Sequence, residues 1–363
     1  MPVELAAFAP GRVNLIGEHT DYNGGLALPF AIAQGVTVRA TAGSAGERVP
    51  SGAMVSAWAR DLDERDTFSA EHPGPSEGWR AFVRGIVAEL ARAGYGLPET
   101  SVEITGDVPR GGGLSSSAAL EVALCLALSG VSRETLGECA DDGGTPLRPI
   151  DIARLCSRVE NEWAGAQTGL LDQLASLHGA VDHALLIDFR SLEVQPVPLE
   201  LGDWRLVVLD SGEAHANVSS GYNERRAECA SACRLLAVDS LRELDEGSLD
   251  ALPGPLDRRA RHVLEENRRV LGAVAALRER ELDALGSLLD ASHASLRDLY
   301  EVSTPAVERA VARMHEAGAA GARLVGGGFG GSILGLFAPG RTPPDGAREV
   351  RPSAGAHRLE DRA

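Results

Sequence analysis

Three stretches of this chain gather residue types that can do chemistry. The run Asp107-Val-Pro-Arg-Gly-Gly-Gly-Leu-Ser-Ser-Ser-Ala-Ala-Leu120 follows a strand-like alternation and opens an apolar helical run. Gly111, Gly112 and Gly113 allow torsions that side chains forbid, so backbone N–H groups can close around a ligand. Leu114, Ser115, Ser116 and Ser117 then stand at a helix start. There the unpaired N–H groups and the positive dipole end favour an anion, above all a phosphate. The serine hydroxyls can add hydrogen bonds or bind Mg²⁺. A serine-capped glycine turn is the plainer alternative. In Gly326-Gly-Gly-Phe-Gly-Gly-Ser332, five glycines occupy six positions. That costs backbone entropy and points to a second loop passing close to a substrate, with a structural turn still open.

The third stretch, Gly11-Arg-Val-Asn-Leu-Ile-Gly-Glu-His-Thr-Asp-Tyr-Asn-Gly-Gly25, packs Arg12, Glu18, His19 and Asp21 close together. Their spacing matches neither a zinc nor a calcium pattern. Carboxylates and an imidazole suit the hydroxyl-rich face of a sugar. A capped surface turn is the bland alternative. Residues 10–25 read as turn-rich and far too polar for a core.

Composition removes several classes. The 363 residues contain no lysine, so every fixed cation is arginine. A Walker-type phosphate loop and a protein-kinase strand both need a lysine and are excluded. A net charge of −17 without a basic run argues against nucleic acid and anionic membranes. The five cysteines form no Cys-x-x-Cys pair, which fits reduced thiols in a cytoplasm. Residues 1–10 lack a signal-peptide pattern, and no stretch has the apolar length of a membrane helix.

Periodicity supplies the elements that must position these stretches. Residues 3–9, 36–40, 101–107, 184–189, 204–210 and 333–337 read as strands. Residues 79–93 carry a helical stripe of Phe82, Val83, Ile86, Val87 and Leu90. Helices are also expected over 115–128, 150–164, 169–178, 221–237, 258–277, 281–300 and 305–317. Residues 41–75 are mixed and 141–149 a loop. Residues 191–203, with Pro196 and Pro198, form the candidate boundary, giving lobes 1–195 and 196–363. Strands and helices intermix, so the expected class is α+β.

The run from Gly11 to Gly25 resembles the galactokinase signature. The glycine–serine loop and the Gly326 loop resemble two shared motifs of the superfamily that includes homoserine and mevalonate kinases. Val159-Glu-Asn-Glu-Trp-Ala-Gly-Ala-Gln-Thr-Gly-Leu-Leu-Asp-Gln173 resembles the segment with the catalytic aspartate, and Tyr222-Asn-Glu-Arg-Arg226 a further galactokinase block. Residues 351–356 echo the family's C-terminal strand. The chain departs from the family pattern at Arg110, at Ser332 and in the short, Pro-rich residues 339–350.

This resemblance implies a two-lobed sugar-kinase fold with the active site between lobes. It implies transfer of the γ-phosphate of ATP to the C1 hydroxyl of galactose, with Mg²⁺. Glu18, His19, Thr20, Asp21, Gly169 and Tyr222 would bind the sugar. Gly111, Gly112, Gly113, Leu114, Ser115, Ser116 and Ser117 would wrap the ATP phosphates, and Ser117 and Glu160 would ligate Mg²⁺. Asp172 would face the anomeric hydroxyl with Arg12 beside it. Positioning and charge neutralisation dominate such a transfer. Asp172 would either take the proton late or mainly orient the hydroxyl. A kinase for N-acetylgalactosamine or arabinose is the nearest alternative. A non-catalytic galactose–ATP sensor is expected to lack the Arg12 and Asp172 pair, and both are present here. The expected partners are galactose and ATP, for a cytoplasmic monomer.

Overall fold

The computed structural model describes residues 2–44, 52–109, 112–136, 147–213 and 218–359. Arg110, Gly111, Cys139 and most of the expected loop 141–149 lie outside the described residues. In chain order, strands β1 (Pro2–Asn14), β2 (Leu26–Ala27), β3 (Pro29–Ser44), β4 (Met54–Ala59) and β5 (Glu64–Ser69) precede helix α1 (Trp79–Arg92). Strand β6 (Thr100–Gly106) leads through the first glycine loop into α2 (Ser116–Leu136), α3 (Pro149–Glu162) and α4 (Leu171–His178). Strands β7 (His183–Asp188), β8 (Glu193–Pro198) and β9 (Arg205–Asp210) follow. Helices α5 (Val218–Leu236), α6 (Leu256–Glu279), α7 (Leu282–Asp298) and α8 (Pro305–Glu316) come next. Strands β10 (Gly321–Leu324) and β11 (Ser332–Phe337) flank the second glycine loop, and β12 (Arg348–Val350) and β13 (His357–Leu359) end the fold.

A six-stranded sheet has the order β13-β1-β3-β6-β4-β5, a four-stranded one β10-β11-β9-β12, and a three-stranded one β2-β7-β8. The stripe of α1 buries Val83, Ile86, Val87 and Leu90 against the six-stranded sheet and α2. Each such aliphatic side chain contributes about 1.5–3 kcal/mol. Helix α1 also meets α3 closely at Gly85, where an added Cβ would lie 2.6 Å from Val159. Helix α8 starts where expected, with Thr304 accepting from the Val307 N–H and Pro305 at the first position. A second core joins Val13 of β1, Phe30 of β3 and Leu28 just before β3 to Val270 and Val274 of α6 and Leu334 of β11. The early strands therefore pack directly on late helices.

Several expectations change. Residues 11–20 are buried, not a polar surface turn. Strand β1 runs through them to Asn14, and partners from far along the chain satisfy the polar groups. The boundary expected over 191–203 contains β8, and its prolines are accommodated because β8 is an edge strand. Residues 351–356 are not a strand. They lie between β12 and β13, and N–H groups of Ser353, Gly355 and Ala356 donate to carbonyls of Ala31, Gly179 and Ser176. Strand β13 then pairs with β1, returning the chain to the first sheet.

Candidate active site

The site begins where β1 is pressed against the first glycine loop. The Arg12 N–H donates to the Leu114 carbonyl at 3.1 Å, and a Cβ on Gly11 would lie 2.6 Å from that same oxygen. Arg12 is thereby held beside the loop, where its Nη1 donates to the Gly113 carbonyl at 2.6 Å. Its Nε and Nη2 reach Asp172 Oδ1 at 2.7 and 2.6 Å. Asp172 sits in the first turn of α4, where the helix dipole favours a carboxylate. Its other oxygen accepts from the Ser115 hydroxyl. Ser115 holds a left-handed backbone, φ 59°, which is costly outside glycine, and its hydroxyl is turned to Asp172.

A cavity of about 350 Å³ opens beside this pair, lined by Arg12, Glu18, His19, Asp21, Asp172 and Tyr222, with residues 166–169 as one wall. Glu18 accepts from Asn14 Nδ2 and from the Gly326 N–H, both at 2.8 Å, and lies 3.6 Å from the buried Arg323. The second glycine loop thus presents a backbone donor to the sugar-binding candidate. Burial raises the Glu18 carboxyl, although Arg323 and Arg12 pull it down. His19 Nδ1 pairs with the Tyr22 hydroxyl at 2.8 Å, which pairs with the Tyr300 hydroxyl at 2.9 Å. Burial and then His262 lower His19 to about 3, so it is neutral near pH 7. Burial and then the Asp172 charge push Asp21 up to about 7. Tyr222 is raised well above the usual phenol range by burial and Asp21, so it keeps its proton. Gly169 is required by contact, since a Cβ there would lie 2.0 Å from Asp21 Oδ2.

Thr20 departs from its expected role. Its hydroxyl donates to the Gly17 and Leu26 carbonyls at 2.9 and 2.7 Å, and the buried residue does not line the cavity. Threonine here closes the turn on itself.

On the other side of Arg12, Gly112, Gly113, Ser115, Ser116 and Ser117 surround the start of α2. The Leu114 side chain is turned into the core, which leaves its backbone as the part able to meet a phosphate. Ser117 Oγ donates to Glu160 Oε1 at 3.0 Å. Thr168 and Gln173 both donate to Glu160 Oε2, Gln173 at 3.0 Å. Burial and then Asp172 raise the Glu160 carboxyl. Among the described residues, no group of three or more His, Cys, Asp or Glu is arranged to hold a metal. Mg²⁺ does not need such a cage. It takes hard oxygens, usually one or two carboxylates plus waters and substrate phosphates, and the Ser117 and Glu160 oxygens fit that set.

A second cavity of about 310 Å³ is lined by Ser116 and Ser117 together with Trp79, Phe82, Ile104 and Leu120. Sequence reasoning read Phe82 only as core. It also passed over Thr168 and Gln173, which lie inside the quoted 159–173 run, and Arg323, just before the second glycine loop.

A family model described as "Galactokinase galactose-binding signature" matches residues 2–42. Models for "GHMP kinases N terminal domain" and "GHMP kinases C terminal" match residues 81–180 and 273–357. Together with the α+β lobes and the anion-ready loop, these define a GHMP-type small-molecule kinase. A galactokinase of Mycobacterium tuberculosis (strain ATCC 25618 / H37Rv) is 42% identical over 349 residues, covering 94% of this chain and 90% of its own. The crystal structure of Lactococcus lactis galactokinase complexed with galactose matches with a TM-score of 0.85 at 30% identity, covering 98% of this chain and 95% of that one. The Methanococcus jannaschii mevalonate kinase, 17% identical with a TM-score of 0.63 over 97% of this chain and 98% of its own, shares the fold. The chain belongs to the galactokinase family, whose members are ATP-dependent sugar kinases.

Proposed function

We propose that the chain moves the γ-phosphate of ATP onto the C1 hydroxyl of D-galactose, giving galactose 1-phosphate and ADP. The observation that carries this reading is the junction of Arg12, Asp172 and Gly113, where the acidic cavity meets the anion-ready loop. In the proposal, Glu18, His19, Asp21 and Tyr222 bind sugar hydroxyls, and the apolar cavity of Trp79 and Phe82 takes the purine base. Residues 112–117 wrap the phosphates.

A carboxylate offers about four acceptor sites. Arg12 occupies two of those of Asp172 and Ser115 one, which leaves one on Oδ2 for the sugar hydroxyl. Asp172 orients that hydroxyl and takes its proton as the oxygen bonds to phosphorus. Arg12 meets the negative charge that develops on the transferred group. Mg²⁺, when held by Ser117 and Glu160, neutralises charge on the ATP phosphates. We assign residues 1–195 and 196–363 to the two lobes. We also assign a cytoplasmic monomer, the location being supported by the free thiols among the described cysteines.

The test is sugar-dependent ADP release with galactose, glucose and N-acetylgalactosamine, with Mg²⁺ and with a chelator. Galactose should be strongly preferred and the chelator should abolish turnover. Preference for N-acetylgalactosamine would reassign the substrate, and no release with any sugar would reject the kinase reading.

Two outcomes follow from Asp21. Its ionised form accepts sugar hydroxyls, and its carboxyl protonates as pH falls through about 7. The kcat/KM for galactose should therefore decline about tenfold per unit on the acid side. A flat profile between about pH 5.5 and 8 would show that Asp21 does not act as a charged acceptor. Gly169→Ala puts a methyl group against Asp21. It should raise KM for galactose by about 10- to 100-fold, since displacements of 1 Å carry costs of that order. Steady-state kinetics with ATP saturating checks this, and an unchanged KM would place Asp21 away from the sugar.

A further inference from the structure

Arg226 lies one turn beyond Tyr222 on α5 and is half-buried. Its Nη1 donates to the Gln167 carbonyl and, at 3.2 Å, to the Thr168 carbonyl. These carbonyls belong to the irregular segment between α3 and α4, whose residues 166–169 form one wall of the sugar cavity. The segment carries two demands at once. Thr168 holds Glu160 through its hydroxyl, and Gly169 must stay against Asp21. The segment is irregular, tied to the end of α3 by the Ala166 N–H, which donates to the Glu160 carbonyl at 2.9 Å, and by Thr168. Arg226 reaches it from α5, a helix of the later half of the chain. The same guanidinium lies 5.7 Å from the ring centroid of Tyr22, next to Asp21 on the sugar loop.

We propose that Arg226 is a positioning residue for sugar binding, holding the 166–169 wall against the loop of Asp21. This rests on the reading of the cavity as the sugar site. Charge adds a second signature. Asp21 faces Asp172 on α4, Glu18 on its own loop, and Tyr222 and Arg226 on α5, and the Tyr22 backbone N–H donates to it. Burial and Asp172 raise its carboxyl, and Arg226 opposes them. Loss of the Arg226 cation should thus move the acid limb of galactose kcat/KM to higher pH. A role limited to holding the fold together would leave that limb where it is.

The experiment compares the full chain with Arg226→Met, Arg226→Lys and Asp21→Asn, measuring KM for galactose and for ATP, kcat, and the pH profile of kcat/KM for galactose. Arg226→Met should raise KM for galactose about tenfold or more, a loss in the range set by displaced binding groups. KM for ATP should change little, because Ser117 and Gln173 still hold Glu160, and the acid limb should move up. Arg226→Lys keeps a cation with several donors and should recover most of the loss. The proposal is overturned if Arg226→Met keeps the parent's galactose KM and acid limb, or if both KM values rise together. Normal galactose binding in Asp21→Asn as well would mean the sugar-site reading itself has failed. Impaired Asp21→Asn beside a normal Arg226→Met would overturn only the role of Arg226.

Discussion

Asp172→Asn is expected to lower kcat by about a thousandfold or more, the scale of a lost proton acceptor at the reacting atom. The protein should stay folded. The amide is isosteric: its oxygen can keep the Arg12 donors, and its NH2 can donate to a Ser115 hydroxyl turned to accept. What is lost is the negative charge and the acceptor on Oδ2 that the sugar hydroxyl would use. Sugar-dependent ADP release measures the effect, and a thermal melt checks the fold. Near-normal turnover would rule out both a proton-accepting and an orienting role for this carboxylate.

Arg12→Lys is expected to cost about 10²-fold in kcat, comparable to losing a preorganised donor at a developing oxyanion. Arginine spans Asp172 and the Gly113 carbonyl with three nitrogens of one rigid plane. A lysine ammonium is a compact point charge and cannot keep that fork. The side chain is buried, so an unmet Gly113 carbonyl adds a stability loss of about 1–3 kcal/mol. Turnover and melting temperature together separate the two effects. Full activity in the lysine variant would mean that a point charge suffices and that the fork has no catalytic meaning.

Much of the architecture was legible because it depends on local pattern. The α1 stripe, the apolar α2 after its glycines and the capped α8 follow from spacing that the chain carries within a few residues. Burial of the sugar loop was not legible. Polarity within residues 10–25 argues for solvent, and only the tertiary fold brings Arg323 and Gly326 to Glu18, 305 and 308 positions away. Strand β8 was hidden for a related reason, since prolines are kept out of central strands but fit an edge. Within the site, the glycine–serine loop pointed to an anion from its own residues, with a capped turn as the alternative. Asp172 and Glu160 did not, because a single carboxylate on a helix is ordinarily a solvated one. Their importance comes from Arg12, Ser115 and Ser117, which meet them across gaps in sequence that no periodicity crosses. Thr20 shows the converse. A polar residue inside a functional run can serve only the turn that shapes it.

The most direct measurement is a crystal structure of the chain with galactose and a non-hydrolysable ATP analogue bound together. The C1 hydroxyl should donate to Asp172, with Arg12 beside it, the terminal phosphate in line and the triphosphate against residues 112–117. A sugar seated away from Asp21 and Asp172, or a triphosphate in a crevice beyond transfer distance from the C1 oxygen, would contradict the account.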